Sequence, residues 1–387
     1  MGKGLASAFA SVGAPAQGAL PTPDTAQTLP PAVLRALHDQ SHWLGSWWTV
    51  AALGVLAAGL ASAAVLRWRG GGRAWPTAIA ATGALALVAM AGINAYAGYV
   101  PSVAAAQVVL AGHGIGGLGS QSVGTARTGA LHAVHVPVPA ALHMPDATTW
   151  VYTPPGYDPA STRYPVVYLI HGEPGTSSDW VAGGDAAHTV DVLTDAGLVP
   201  PMILVSPDVN GVTETDTECL DSTRGGPQVE TYLLDVLVPW VDDHLATIPD
   251  PEHRILGGMS AGAYCAVDQG LRHQDVFSTI LAIMPYVNPG EGGRDMLSTS
   301  AELAAHDVAS YLPDLTLPRP VPVFVDVPGD DRQSEEAAQA ATLVRLLAAR
   351  GEPLEYRAEP HQHHTWTMAR TALPYALAFA ARHLGRP

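Results

Sequence analysis

Residues 253–272 read HRILGGMSAGAYCAVDQGLR, and this stretch decides the fold. Its centre, Gly258-Met259-Ser260-Ala261-Gly262, is a G-x-S-x-G pentapeptide between a strand pattern at His253–Leu256 and a helix pattern at Ala261–Arg272. A tight strand-to-helix turn needs glycines where a side chain would clash, and it raises the serine hydroxyl above the sheet edge. The pattern predicts that Ser260 is a nucleophile. The alternative is a Gly/Ser turn in an ordinary strand–helix connection.

Short apolar runs alternate with helical patterns on both sides of this turn. The predicted strands are His132–Val138, Thr149–Thr153, Val166–Ile170, Met202–Ser206, Ile255–Gly257, Thr279–Ile283, Val321–Val327 and Leu354–Ala358. The predicted helices are Ala186–Ala196, Val229–Ala246, Ala261–Arg272, Glu335–Arg350 and Trp366–His383. Apolar strands that alternate with helices predict an α/β fold, with a mainly parallel sheet covered on both faces.

A serine hydroxyl needs a base to remove its proton, and histidines follow the last predicted strand. The segment Pro360–Trp366 contains His361, His363 and His364, of which His364, followed by Thr365 and Trp366, is the favoured base. In the competing interpretation the three histidines are metal ligands, although no cysteine or carboxylate accompanies them at ligand spacing. The predicted site therefore contains no metal and no cofactor.

The acid that orients the histidine should follow the strand Val321–Val327. Gly329-Asp330-Asp331 does so, and Asp331 is the first choice, Asp330 the second. Asp326 comes third because it falls inside the predicted strand.

A tetrahedral intermediate needs two preorganised N–H donors. One is the backbone N–H of Ala261, directly after the nucleophile. The other is expected in the turn His171–Gly175, where Pro174 has no N–H and Glu173 is therefore the best donor. A plain Gly/Pro turn is the alternative for this second segment.

These motifs occur in the chain order of a known family. Residues from about 130 to 385 resemble the esterase family of α/β-hydrolases that includes esterase D-like enzymes, feruloyl esterases and mycolyltransferases. The matching stretches are Tyr168–Gly172, Ser178–Trp180, Pro201–Pro207, the turn around Ser260, and His364–Trp366. The resemblance implies an α/β-hydrolase fold with a Ser-Asp-His triad. The family's acid usually lies in Gly-x-x-Asp, whereas this chain has Pro328-Gly329-Asp330-Asp331, so Asp330 and Asp331 both stay open.

Two uncharged segments precede this region, 47–66 and 75–99. About 20 helical residues cross the hydrocarbon core of a bilayer, so both predict transmembrane helices. Trp43, Trp47, Trp48, Tyr96 and Tyr99 lie near their ends, as aromatic anchors do. Only 14% of the chain is charged, against about a quarter in ordinary globular proteins. The alternative is a pair of buried core helices.

The basic residues near these segments predict the topology. Arg67, Arg69 and Arg73 lie between the two spans, which by the positive-inside rule makes that loop cytoplasmic and the rest extracytoplasmic. The expected organisation is a disordered tail (1–40), the two spans (41–100), a linker (101–130) and a catalytic domain (131–387).

Charge and cysteine content narrow the function. The net charge is −16 and Lys3 is the only lysine, which excludes nucleic acid as a partner. Cys219 and Cys265 are too few for a disulfide scaffold, but they could pair in an oxidising compartment. The run Asp216–Asp221 contains three carboxylates, which could bind a cation, although a solvated acidic loop is the favoured interpretation.

Together these features predict a membrane-anchored, extracytoplasmic serine esterase that acts on acyl esters, lipid-like ones among them, through an acyl-enzyme. An acyltransferase that passes the acyl group to an alcohol of the cell envelope is the first alternative. A non-catalytic binding module on the same fold is the second.

Overall fold

A computed structural model of the chain describes residues 20–24, 28–38, 42–112, 128–144, 147–210, 216–331 and 334–385. Its centre is an eight-stranded sheet in the order β1-β2-β4-β3-β5-β6-β7-β8. The strands are β1 (Ala130–His135), β2 (Thr148–Thr153), β3 (Val166–Ile170), β4 (Ile203–Ser206), β5 (Arg254–Met259), β6 (Thr279–Ile283), β7 (Val323–Pro328) and β8 (Leu354–Glu359). Strands β3 to β8 pair in parallel, whereas β1 and β2 are antiparallel at one edge. The predicted mainly parallel sheet is confirmed.

The helices are α1 (Pro31–His38), α2 (Trp47–Arg69), α3 (Trp75–Ala97), α4 (Val103–Gly112), α5 (Asp179–Ala182), α6 (Ala186–Asp195), α7 (Val229–Thr231), α8 (Val238–His244), α9 (Ala261–Arg272), α10 (Gly290–Met296), α11 (Ser300–Ala305), α12 (Val308–Tyr311), α13 (Glu335–Arg350) and α14 (Trp366–His383). A π-helical segment, Tyr232–Leu237, joins α7 to α8. Short 3-10 turns are Trp43–Gly45, Ala140–Leu142, Pro251–His253 and Leu312–Asp314.

Alternate residues of the central strands enter two separate cores. Tyr168 and Ile170 of β3 pack with α8, α9 and α13, whereas Val167 and Leu169 pack with α6 and α14. Successive side chains of a strand point to opposite faces, so a strand covered on both faces is apolar throughout. This is why the central strands were recognisable as continuous apolar runs.

Helices α2 and α3 form a hairpin whose length and composition suffice to cross a membrane. Only 6% and 11% of their most apolar windows are buried. That exposure contradicts the alternative of two buried core helices, because such helices are covered by protein on all sides. The bounds differ slightly from the predicted ones: α2 continues to Arg69, and α3 ends at Ala97 because Gly98 adopts a left-handed conformation (φ 70°).

The N-terminal segment contains more structure than the predicted disordered tail. Helix α1 lies within it, and Leu29 and Val33 are buried in the same core as Val190 of α6. Helix α4 likewise lies within the predicted linker. Residues 1–19, 25–27, 39–40 and 113–127 of these two segments lie outside the described residues.

Candidate active site

Ser260 lies at the turn from β5 to α9 with φ 57° and ψ −119°. Positive φ is uncommon outside glycine, and such conformations cluster at functional sites. The flanking glycines make the turn possible. A Cβ on Gly258 would lie 2.2 Å from the carbonyl oxygen of Gly262, and one on Gly262 would lie 2.1 Å from that of Ile170. The G-x-S-x-G pattern thus reflects close backbone packing around the half-buried serine.

The predicted oxyanion donors belong to segments that meet at Ser260. Ala261 is the first residue of α9, so its N–H is among the helix-start donors without an intrahelical acceptor. The turn after β3 lies alongside, because a Cβ on Gly172 would be 3.3 Å from Ser260 Cβ. The next residue, Glu173, accepts a hydrogen bond from the Asn210 side-chain amide. This contact holds the turn against the loop after β4.

Two carboxylates, those of Asp208 and Asp179, lie beside the turn after β3. His171, which is buried, lies 3.8 Å from Asp208. Burial would lower the pKa of His171, but the charges of Asp208 and Asp179 and the hydrogen bond to the Gly172 carbonyl more than compensate and raise it. The buried carboxylate of Asp179 accepts hydrogen bonds from the Thr176 N–H (3.1 Å) and hydroxyl (2.9 Å). The turn that contains Glu173 is therefore fixed by side chains on both sides.

The three candidate acids occupy different places. Asp326 is buried inside β7, 3.5 Å from the Arg357 side chain, and burial followed by the charge of Glu359 raises its pKa well above the usual range. Asp330 accepts the His361 N–H at 3.2 Å. Asp331 contacts the histidines of interest: one oxygen lies 3.1 Å from His363 Nδ1, and the other accepts the His364 N–H at 3.1 Å.

The two neighbouring histidines differ in their surroundings. The side chain of His364 lines a cleft with Met284, Asp331 and Glu336. Desolvation lowers the pKa of His364, and the charges of Glu336 and Asp331 oppose that shift. His363 pairs with Asp331 through its ring nitrogen. All of these residues and Ser260 are described, yet no hydrogen bond joins Ser260 Oγ to either ring. Catalytic hydrogen bonds are often long until substrate is bound.

The structure does not group the histidines as metal ligands. Among the described residues, no three His, Cys, Asp or Glu side chains are arranged to hold a metal ion. His361 faces Asp330 at 3.8 Å, whereas His363 faces Asp331.

The acidic run after β4 is packed inward, so the favoured solvated loop is wrong. Glu218 is only 4% exposed and accepts hydrogen bonds from the Tyr286 hydroxyl at 2.7 and 2.8 Å. Burial, followed by the charge of Asp216, raises the pKa of Glu218 well above the usual range. The adjacent Cys219 forms a disulfide with Cys265 of α9, with the Cα atoms 5.4 Å apart. The run is thereby tied to the helix that follows Ser260.

Sequence reasoning missed the contribution of the segment after β6. Met284 has φ 57° and lines the cleft beside His364, and Tyr286 binds Glu218. The available signal was positional: the carboxyl ends of parallel strands meet at one sheet edge, where functional residues collect. The segments after β3, β5, β7 and β8 begin at that edge, and the segment after β6 begins there as well.

The sheet order, the turn at Ser260 and the histidine segment after β8 together define a hydrolase of the α/β-hydrolase fold. The chain belongs to the esterase family, since the family model described as "Putative esterase" matches residues 144–384. The predicted resemblance is therefore confirmed.

Relatives at the sequence level match parts of the chain. An uncharacterised protein of Corynebacterium glutamicum is 29% identical over 169 residues, which are 41% of this chain and 39% of that protein. An endo-1,4-beta-xylanase/feruloyl esterase of Xylanibacter ruminicola is 30% identical over 134 residues (34% and 18%). An esterase of Mycobacterium tuberculosis is 28% identical over 131 residues (33% and 27%). The chain thus matches less than half of the length of each relative.

Solved structures agree on the fold. A ferulic acid esterase is 22% identical with a TM-score of 0.56, covering 66% of this chain and 99% of its own. The S-formylglutathione hydrolase of Agrobacterium tumefaciens is 19% identical with a TM-score of 0.57 (68% and 98%). Mycobacterium tuberculosis MPT51 is 17% identical with a TM-score of 0.51 (66% and 99%). At these identities the similarity shows the α/β-hydrolase fold.

Proposed function

We propose that the chain is a serine carboxylic ester hydrolase with Ser260 as nucleophile, His364 as base and Asp331 as acid. The observation that carries the proposal is the conformation of Ser260: its strained turn lies against Gly172 and at the start of α9. A serine in an ordinary strand–helix connection needs neither the positive φ nor the two close-packed glycines.

The reaction follows from these positions. Ser260 Oγ bonds to the ester carbonyl carbon while His364 takes its proton, and the N–H groups of Glu173 and Ala261 stabilise the oxyanion. The intermediate collapses to an acyl-enzyme, and the departing alkoxide takes the proton from His364. Water then attacks the acyl carbon by the same route, which releases the acid and restores the Ser260 hydroxyl. Asp331 stabilises the charged form of the His364 imidazole through its own charge.

The proposal includes a membrane anchor formed by α2 and α3. Both helices are apolar around their whole circumference, and exposed side chains include Leu56, Leu66 and Ile79. In water that surface would be costly, at about 25 cal/mol per Å² of apolar area, whereas a bilayer covers it. Trp47 and Trp48 lie at one end, as interfacial anchors do.

The same proposal places the catalytic domain outside the cytoplasm. Arg67, Arg69 and Arg73 mark the hairpin loop as cytoplasmic, and the Cys219–Cys265 disulfide is of a kind that persists in oxidising compartments. A reporter that is active only outside the cytoplasm should be active when fused after residue 387. The same reporter should be inactive when inserted at Gly71. Activity at Gly71 and none at residue 387 would reverse the topology.

The proposed substrates are lipid-like or medium-chain acyl esters, with water as the acceptor. The anchor keeps the site near the bilayer, where such esters are enriched. The acidic chain has no electrostatic attraction for anionic head groups, so selectivity should come from apolar contacts with the acyl chain. An acyltransferase on the same site is the competing outcome.

Product analysis separates the two. The full chain in lipid vesicles is given an acyl-labelled ester together with glycerol as acceptor, and Ser260→Ala serves as the blank. We expect the label to appear as free acid, at a rate that depends little on glycerol. Label transferred mainly to glycerol would replace the hydrolase with the acyltransferase. A non-catalytic binding module predicts no Ser260-dependent product of either kind.

A further inference from the structure

The end of the second span lies against the candidate active site. Helix α3 ends at Ala97, and the Tyr99 hydroxyl donates a hydrogen bond to Asp179 Oδ1 at 2.7 Å. The Tyr99 ring also lies 6.5 Å, between centroids, from that of Trp366. Sequence reasoning assigned Tyr99 to the bilayer surface as an anchor. In the structure its polar end contacts the catalytic domain.

Through Asp179 this contact reaches the oxyanion turn. Asp179 is fully buried, and its carboxylate holds Thr176 by the two hydrogen bonds described above. It also packs against Gly175, where a Cβ would lie 2.7 Å from Asp179 Oδ2. A buried carboxylate that loses one of its donors is costly and tends to reorient. Any movement of Asp179 would be transmitted to the turn that contains Glu173.

The same end of the span contacts the histidine segment. The Arg370 guanidinium donates to the carbonyl oxygens of Gly98 (3.1 Å) and Gly183 (2.5 Å). Gly98 packs so closely that a Cβ would lie 2.2 Å from Thr367 Oγ1. Thr367 is the second residue of α14, directly after the histidine segment. Tyr96, at the end of α3, lies 6.2 Å from the His363 ring between centroids.

Residues 96–99 thus bridge the two loops that must be aligned for catalysis. We propose that Tyr99 is a positioning residue of the active site: its hydrogen bond to Asp179 holds the oxyanion turn in register with the histidine segment. In this proposal the end of the membrane hairpin positions active-site residues in addition to anchoring the chain. This inference rests on the proposed serine esterase activity at Ser260.

The test compares Tyr99→Phe with a matched control in the full chain, purified in detergent. Tyr99→Phe keeps the ring against Trp366 and removes only the hydroxyl. The control is Tyr152→Phe, because the Tyr152 hydroxyl also donates to a carboxylate, Asp191 Oδ1, at 2.6 Å. That pair joins β2 to α6 away from Ser260. Active serines are counted by labelling with a fluorophosphonate to completion, and kcat and KM are measured on a soluble short-chain ester.

We expect Tyr99→Phe to lower kcat per labelled serine about tenfold, with KM changed less than about twofold, because small misplacements of reacting groups lower turnover steeply. Tyr152→Phe should leave both constants unchanged, even where it lowers the melting temperature equally. An unchanged kcat per labelled serine in Tyr99→Phe would overturn the positioning role. A fall in kcat of equal size in both variants would overturn it as well.

The outcome is separable from failure of the proposed function. If the unmodified chain neither labels at Ser260 nor hydrolyses the ester, the esterase proposal fails. If the unmodified chain is active and Tyr99→Phe matches it, only the positioning role is lost.

Discussion

Ser260→Ala is expected to remove ester hydrolysis, with kcat lower by about six orders of magnitude. The substitution deletes Oγ alone and keeps the Cβ that the turn already accommodates. The close packing of Gly258 and Gly262 against neighbouring backbone is untouched, so the fold should persist. Turnover of a short-chain ester and covalent labelling by a fluorophosphonate are the measurements, with circular dichroism as the check on folding.

A matched control is Ser278→Ala. Ser278 precedes β6 and its N–H donates to the Arg254 carbonyl, at the end of the sheet away from the active-site edge. This variant should retain both labelling and turnover. If instead Ser260→Ala labels as well as the unmodified chain, the nucleophile lies elsewhere and the assignment fails.

The central strands were predictable because both of their faces are buried, whereas the edge strand predicted at His132–Val138 lies at Ala130–His135. Strands β3 and β6 have the predicted bounds, and both are buried along their whole length. A parallel strand covered on both faces must be apolar at every position, which makes it visible in the sequence. Helices α9, α13 and α14 likewise begin and end as predicted. Ser334 and Thr365 accept N-terminal hydrogen bonds of α13 and α14, and Gly351 ends α13.

Elements that depend on distant partners were not predictable. Helix α1 is only eight residues long, and an isolated helix of that length is unstable in water. It forms where Leu29 and Val33 are buried beside α6. The same reason applies to Glu218. Nothing in the run Asp216–Asp221 shows that Glu218 will be buried, because its hydrogen-bond donor, Tyr286, comes from the distant segment after β6.

The candidate site was predictable at the level of segments rather than single side chains. The turn around Ser260, the turn after β3, the loop after β7 and the histidine segment all occur at one edge of the sheet, because parallel strands end there. Which of two adjacent histidines contacts Asp331 through its ring depends on backbone torsions that neighbouring residues do not reveal. Asp331 illustrates this: it binds the side chain of His363 and the backbone of His364.

His364→Ala should therefore be compared with His363→Ala. We expect His364→Ala to lower kcat by about five to six orders of magnitude, because Ser260 then has no base. His363→Ala should cost less than about tenfold, since the ring is half exposed and its pair with Asp331 lies at the surface. Turnover per correctly folded protein is the measurement. The opposite ranking would make His363 the base. The hydrogen bond between its ring and Asp331 would then be the contact between base and acid.

The acid and the pH profile test the same assignment independently. Asp331→Asn should lower kcat by about three to four orders of magnitude, and Asp330→Asn should change it little.

Hydrolysis requires the neutral imidazole, and desolvation lowers the pKa of His364. The base therefore stays neutral to lower pH than an ordinary histidine, and the acid limb of kcat/KM should fall below pH of about 6.5. An acid limb well above that value would mean that the charges of Glu336 and Asp331 outweigh desolvation of His364 in the free enzyme, or that another histidine is the base. The result for His363→Ala decides between these two explanations, because only the second predicts that this variant is inactive.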